Sequence, residues 1–272
     1  MFNKIIQGNH LDVLKRYPDD TFDMSITSPP YDKLRTYEGY DFKFEPLAHE
    51  LYRTLKPGGV LVWVVNDSTV NGSETLTSAK QKIFFREECG FNIHDTMFYE
   101  KNGAAFPEQK RYYQVIEYMV ILSKGKPLTL HLLKDRKNRW EKGKWSQKAS
   151  KREKDGTLTF RTVPITPKFG IRFNLWRYST GAGYHDTDGL SSQHPATFPE
   201  KLAEDHILSW SNPGDVILDP MCGSGTTCKM AAKHQRQYIG IDISEKYCEL
   251  ARERLDRFTK QTTIFEVIPA MN

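Results

Sequence analysis

An α/β fold on a mainly parallel sheet is what this sequence predicts, and three observations predict it. Strand-like and helix-like segments alternate through both outer thirds of the chain, the pattern of strand–helix units around a parallel sheet. Some strand candidates are continuous apolar runs, such as GVLVWVV at 59–65, as strands covered on both faces must be. A strand, a glycine-rich turn and a helix also follow one another directly in DVILDPMCGSGTTCKMAAKH.

The elements read in order. FDMSIT (22–27) is a short buried strand. Phe44, Leu47, Ala48, Leu51 and Leu55 recur at helical spacing, and Lys56-Pro57-Gly58-Gly59 stops that helix before the 59–65 strand. A helix over 78–89 ends at Gly90, and 91–100 and 114–122 read as two further strands. Residues 124–190 have weak periodicity and read as an irregular insertion. Order returns at Pro199, a suitable first helical residue, with Leu202, Ala203, His206, Ile207 and Trp210 on one face. DVILD (215–219) and YIGID (238–242) are strands separated by the helix TCKMAAKH. Ser244 can cap a last helix over 245–258 that turns Tyr247, Leu250, Ala251, Leu255 and Phe258 inward.

At 272 residues the chain has room for one sizeable core with an inserted subdomain. It contains no 18-residue apolar run, and MFNKIIQGNHLDVLK carries charge too early for a secretory segment, so the cytosol is the expected compartment. Cys89, Cys222, Cys228 and Cys248 form no Cys-x-x-Cys pair; reduced thiols are expected rather than disulfides or a metal site. The charge is uneven. Residues 124–172 hold 15 Lys/Arg against 4 Asp/Glu, a net of +11, so within a total of +5 the rest sums to −6. A basic segment on an acidic body points to a polyanion, nucleic acid first; a solvated loop is the plainer alternative.

In the glycine loop, Asp219 ends a strand, and Gly223 and Gly225 remove side chains where a ligand or the sheet comes close. Asp242 ends the next strand, 23 residues later, where an acid suits two ribose hydroxyls. No Gly-Lys-Ser/Thr follows, so this is no Walker loop, and the full G-x-G-x-x-G spacing is missing. A carboxylate just before the loop repels a pyrophosphate but suits a cationic nucleoside. S-adenosylmethionine, with an ammonium, a sulfonium and no phosphate, is such a ligand.

Ser28-Pro29-Pro30-Tyr31 ends the 22–27 strand with residues of restricted, extended geometry. The Ser28 hydroxyl and Pro29 carbonyl together make two acceptors, which suit the two hydrogens of an exocyclic amine, and the Tyr31 ring offers a stacking face for a planar base. Holding those hydrogens drives the amine nitrogen toward tetrahedral geometry and localises its lone pair for attack on a sulfonium methyl. Positioning and electrostatics then carry the rate. Read alone, Pro-Pro-Tyr is a rigid turn or a polyproline ligand.

Together, Thr27-Ser28-Pro29-Pro30-Tyr31 and Leu218-Asp219-Pro220-Met221-Cys222-Gly223-Ser224-Gly225-Thr226-Thr227 resemble the paired motifs of amino-group DNA methyltransferases. The catalytic motif precedes the cofactor loop, as in the beta class. The resemblance implies a circularly permuted Rossmann-like methyltransferase that uses S-adenosylmethionine, with a mainly parallel seven-stranded sheet. It implies a catalytic half over 1–123, a basic target-recognition insertion over 124–190 and a cofactor-binding half over 191–272. Carried onto this sequence, it gives Ser28, Pro29, Pro30 and Tyr31 catalytic roles. It gives cofactor contacts to Asp219, Pro220, Cys222, Gly223, Gly225, Thr226, Asp242 and Ile243. His194 and Phe198 join these through Gln193–Pro199, which resembles the family segment at the methionine end of the cofactor. Asn9 stands where the family commonly has Asp. Within the family, Ser-Pro-Pro-Tyr is usually associated with cytosine N4 and Asp- or Asn-Pro-Pro-Tyr with adenine N6, so N4-methylcytosine is the expected product. Adenine N6, a base of RNA, protein glutamine, and an inactive DNA-binding relative are the alternatives.

A base in duplex DNA must be flipped out to reach such a site, at a cost of a few kcal/mol that phosphate contacts help offset. The candidates for DNA contact are Lys134, Arg136, Lys137, Arg139, Lys142, Lys144, Lys148, Lys151 and Arg152, with Trp140 and Trp145 among them, and Arg35 and Tyr37 after the catalytic loop. Trp140 and Trp145 are equally suited to a small core. His185 reads as a loop residue, since the methylated nitrogen is acidic enough to need no dedicated base. The resemblance implies DNA as partner; it leaves open a cognate restriction endonuclease and the choice between monomer and homodimer.

Overall fold

The structure, a computed structural model, describes residues 2–30, 42–103, 111–139, 148–162, 167–179, 186–190 and 198–267. β1 (Lys4–Gln7) leads into the single helical turn-and-a-half α1 (His10–Leu14), whose Leu11 N–H is capped by the Asn9 side chain at 2.9 Å. β2 (Phe22–Thr27) has only Asp23 partly exposed, as a strand between two others with helices on both faces requires. α2 (Phe44–Thr54) turns Leu47, Ala48 and Leu51 inward. β3 (Leu55–Val65) begins immediately, so Lys56-Pro57-Gly58-Gly59 lies inside the strand rather than before it. The register with β2 slips between Phe22 and Met24 there. A Cβ on Gly59 would lie 2.8 Å from the Asp23 carbonyl oxygen, so a side chain at this point would push the two strands apart.

A small hairpin, β4 (Thr69–Val70) with β5 (Ser73–Glu74), precedes α3 (Thr77–Glu87), and β6 (Asn92–Lys101) and β7 (Ile116–Ser123) follow. Next come β8 (Arg136–Lys137), β9 (Lys148–Arg152), β10 (Leu158–Thr162), β11 (Phe169–Gly170) and β12 (Leu175–Tyr178). The chain closes with α4 (Glu200–Trp210), β13 (Val216–Asp219), α5 (Thr226–Lys233), β14 (Gln237–Asp242) and α6 (Glu245–Val267). Pro199 is the residue before α4 rather than its first residue, with ψ of 142°.

The main sheet runs β1-β14-β13-β2-β3-β7-β6-β12. All neighbours are parallel except β7, which is antiparallel to β3 and to β6. The expectation of a mainly parallel sheet is met, with eight strands where seven were expected. The additional one is β12, at the edge beside β6. Its Trp176 and Tyr178 are buried and its Leu175 and Arg177 exposed. Trp176 lies on the His206 ring of α4 at 4.6 Å and the Tyr178 hydroxyl donates to Asp205 at 2.8 Å. Four residues of alternation inside a basic, aperiodic stretch are too few to read as a strand.

The aromatic core lies on one face of the sheet around Trp63, whose indole N–H donates to Gln81 at 2.8 Å, with Phe44 and Phe85 against its ring. No helix among the described residues is long and apolar enough to cross a membrane. The chain divides into two compact units: 1–131 with 174–272, and Leu132–Phe173, narrower than the 124–190 read as an insertion from its weak periodicity. The smaller unit contains the paired strands β8–β11 and β9–β10. None of its described side chains is buried.

Candidate active site

Because β1, β14, β13 and β2 are consecutive and parallel, their carboxyl ends share one edge of the sheet. That edge brings together Gln7, Asp242, Asp219 and the Thr27–Ser28 corner. The carboxyl edge of an open parallel sheet is where loops can hold a ligand over the strand ends.

Asp219 is 2 % exposed, and no cation pairs with it among the described residues. One carboxylate oxygen accepts the Met221 N–H at 3.2 Å. Burial pushes its carboxyl up to about 6, and the charge of Asp242 adds to this. The hydroxyls of Thr227 and Thr27 and the Met221 amide act in the opposite sense. Neither hydroxyl makes a well-aligned hydrogen bond among the described residues. A buried acid without a protein counter-charge fits a ligand that brings a positive charge of its own. This is the fit expected for an ammonium- and sulfonium-bearing nucleoside.

The glycine loop is tied to the strand beside it. Cys222 N–H donates to the Ile241 carbonyl at 2.8 Å, and Gly223 N–H, at a φ of +49°, donates to Asp242 Oδ2 at 2.9 Å. Asp242 Oδ1 accepts the Ser244 N–H at 2.9 Å, so both carboxylate oxygens are oriented by backbone amides. Gly225 serves a different purpose, since its φ is +76° and a Cβ there would sit 2.7 Å from the Ala251 Cβ. Its freedom lets α6 pack closely against the loop, rather than admitting a ligand. Pro220 and Cys222 are buried beneath the loop, and α5 starts at Thr226. The four cysteines are free and buried. A hydrogen bond with the Cys228 thiol and burial together push the Cys222 thiol well above its usual range, which suits packing rather than nucleophilic chemistry.

A buried charge cluster behind the loop escaped the sequence reading. The Arg254 guanidinium, fully buried in α6, donates to Glu200 (2.8 Å), Asp188 (3.0 Å), the Ser224 carbonyl (2.7 Å) and the Thr226 hydroxyl (3.2 Å). The Lys229 ammonium of α5 reaches the same two acids, at 2.6 Å each. Burial pushes Asp188 up, but Lys229 and Arg254 more than reverse this and hold its carboxyl near 2. Two acids and two bases thus join the 186–190 segment, the start of α4, α5 and α6 around the carbonyl of Ser224. A signal was present in the sequence, because Arg254 falls three residues after Ala251 and four after Leu250, on the apolar face of its helix.

The remaining candidates distribute as follows. Ser28 and Pro30 are half-buried and Pro29 is buried, immediately after β2. Phe198 is half-buried beside the start of α4; Ile243 is 40 % exposed, its carbonyl accepting from the Gln7 side chain at 3.1 Å. Lys137, Arg139, Lys151 and Arg152 are exposed in the smaller unit. Tyr31, Arg35, Tyr37, Trp140, Lys142, Lys144, Trp145, His185 and His194 lie outside the described residues. Asn9, which departs from the family's usual Asp, caps α1.

The chain is also similar to known proteins. The orphan methyltransferase M.BamHII of Bacillus amyloliquefaciens is 55 % identical over 241 residues, covering 88 % of this chain and 91 % of the relative. Among solved structures, the PvuII DNA methyltransferase (cytosine-N4-specific) superposes with a TM-score of 0.66 at 18 % identity, over 96 % of this chain and 94 % of that one. A DNA modification methylase of Thermus thermophilus, complexed with S-adenosyl-L-methionine, superposes with a TM-score of 0.60 at 24 % identity, over 94 % and 95 %. These two likenesses concern the fold. Residues 22–253 match the model of the DNA methylase family N6_N4_Mtase, and the chain belongs to that family of DNA methyltransferases.

Proposed function

We propose that this DNA methyltransferase, with S-adenosylmethionine as cofactor, acts on the exocyclic N4 amine of a cytosine flipped out of DNA. One observation carries the reading. β2 and β13 are adjacent and parallel, with Leu218 opposite Ser25, so Thr27 at the end of β2 and Asp219 at the end of β13 lie at the same edge of the sheet. The Ser28-Pro29-Pro30 corner and the cofactor loop therefore leave the sheet side by side. The bound cofactor supplies an electrophilic methyl on its sulfonium. The chain's own residues do the rest. Asp219 meets the positive end of the cofactor and Asp242 its ribose. The Ser28 hydroxyl and the Pro29 carbonyl accept the two amine hydrogens, and Tyr31 stacks on the base. The amine nitrogen, its lone pair localised, would take the methyl as the methyl–sulfur bond breaks, that bond's electron pair staying on sulfur to leave a neutral thioether, and the nitrogen would release one proton to solvent.

The test compares Ser28→Ala and Tyr31→Ala with the wild type. Both variants should bind S-adenosylmethionine normally by calorimetry and lose at least about tenfold in kcat, a small share of the barrier that positioning and electrostatics supply. Wild-type turnover in both would remove the catalytic assignment. Mass spectrometry of nucleosides from methylated DNA identifies the base, with N4-methylcytosine expected. A second reading, adenine N6, is supported by the family model, which spans both chemistries, and by the fact that a hydroxyl and a carbonyl accept from either amine equally well. N6-methyladenine in the same digest would establish it in place of the first.

A further inference from the structure

The smaller unit, Leu132–Phe173, carries 13 Lys/Arg against 4 Asp/Glu, a net of +9. Because none of its described side chains is buried, it has no core of its own among the described residues. A unit of this size without one gains little from burial, and an isolated two-stranded hairpin is only marginally stable in water. Its β9–β10 hairpin nonetheless has a well-made turn. Asp155 accepts from the Thr157 N–H (3.0 Å) and hydroxyl (2.7 Å), Glu153 N–H donates to the Thr157 carbonyl (2.9 Å), and Gly156 takes a φ of +86°.

The two faces of this hairpin differ. Residues directly opposite in an antiparallel pair share a face, and Leu158 pairs with Arg152 and Phe160 with Ser150. One face therefore presents Arg152, Leu158 and Phe160; the apolar pair are 53 % and 68 % exposed. The other presents Lys151 and Thr159, whose polar groups are engaged with Glu153 at 3.0 and 2.8 Å. Arg152 makes no hydrogen bond or ion pair among the described residues. One face is thus internally satisfied, while the other combines a guanidinium with no partner among the described residues and two exposed apolar side chains.

We propose that β9–β10 is a DNA-reading β-ribbon that lays its Arg152–Leu158–Phe160 face in the major groove. This deepens the DNA methyltransferase reading and rests on it. Two strands about 5 Å apart fit a groove about 12 Å wide. A guanidinium with free donors matches guanine O6 and N7, and apolar side chains match thymine methyl groups. The net +9 favours a polyanion over an apolar protein surface as the partner that covers this face. Contact with DNA also supplies the burial that the unit lacks, so the ribbon should become more ordered on binding.

The test uses the full chain with fragments of a plasmid as probe. Amide hydrogen exchange across 148–162 should slow when the DNA is added. Arg152→Ala and Phe160→Ala should each weaken DNA binding by roughly 5- to 150-fold, the range for loss of a good base contact. Both should broaden the methylated sequence context read by single-molecule sequencing. Their affinity for S-adenosylmethionine should be unchanged, which controls for folding. The proposal is overturned if the ribbon amides gain no protection, or if both variants keep wild-type affinity and context. If the wild type shows ribbon protection and the variant effects on binding but never methylates DNA, the activity reading fails and the ribbon stands. If the wild type methylates and the variants match it, the ribbon alone fails.

Discussion

In the proposed site a single proton on Asp219 would couple the stability of the fold to the binding of the cofactor. With its carboxyl pushed up to about 6 from an ordinary 3.8, the folded protein holds that proton more tightly than the unfolded chain does. The sign follows from linkage: between about pH 4 and 6 the folded state binds more protons, so this residue's contribution to stability falls as pH rises through that window. A cationic ligand has the opposite preference, because it favours the ionised form. S-adenosylmethionine should therefore bind with constant affinity above about pH 7 and weaken by up to about tenfold per pH unit below about 6. Calorimetric titration between about pH 5 and 8 reads this directly. Asp219→Asn should bind more weakly at about pH 8 and lose the dependence, while gaining thermal stability without ligand at that pH. An unchanged pH profile in the variant would show that another group governs cofactor charge.

At the scale of elements, the cluster of Asp188, Glu200, Lys229 and Arg254 does what an apolar contact cannot: it fixes four chain segments around one loop by directed bonds. A buried group of charges is a poor source of net stability, but removing one member leaves its partners uncompensated, at about 3–5 kcal/mol. Arg254→Met should therefore lower stability by about that amount in urea unfolding. The double variant Arg254→Met with Glu200→Gln leaves the Asp188–Lys229 pair in balance and should recover more than about 1 kcal/mol of it. Strict additivity of the two changes would mean that the groups are not coupled. The same cluster marks the limit of what the sequence reveals. The glycine loop, β2, β13, β14 and α5 were legible because apolar runs and glycines constrain chains locally. Arg254 and Lys229 were not, because their partners lie 54 and 29 residues away at Glu200 and no local pattern encodes that pairing. β1 was missed for a related reason: only Ile5 of its four residues is buried, so it has no alternation to detect. β12 was lost inside a basic stretch, although its Trp176 and Tyr178 were the signal. At Gly225 the sequence suggests close approach of a ligand or the sheet; its actual neighbour is Ala251 on α6, a helix that no local pattern places beside the loop.

At the scale of the whole molecule, burial and charge are segregated. All the buried side chains among the described residues lie outside Leu132–Phe173. With that unit at +9 in a chain of +5, the remainder is −4. An acidic body repels a phosphate backbone, so on the proposed reading the affinity for DNA should reside largely in the smaller unit. Replacing 132–173 by a flexible Gly/Ser linker removes no buried side chain among the described residues and shortens a loop, whose closure cost changes only slowly with length. Such a variant should keep its thermal stability to within about 1 kcal/mol and bind S-adenosylmethionine like the wild type. Its DNA binding should fall toward background. The slope of log affinity against log salt should become shallower too, since each lost phosphate contact removes roughly 0.9 from it. Fluorescence anisotropy across a salt series measures both affinity and slope. A variant that retained the wild-type slope would place the phosphate contacts on the acidic body, and the charge segregation would then serve solubility rather than recognition.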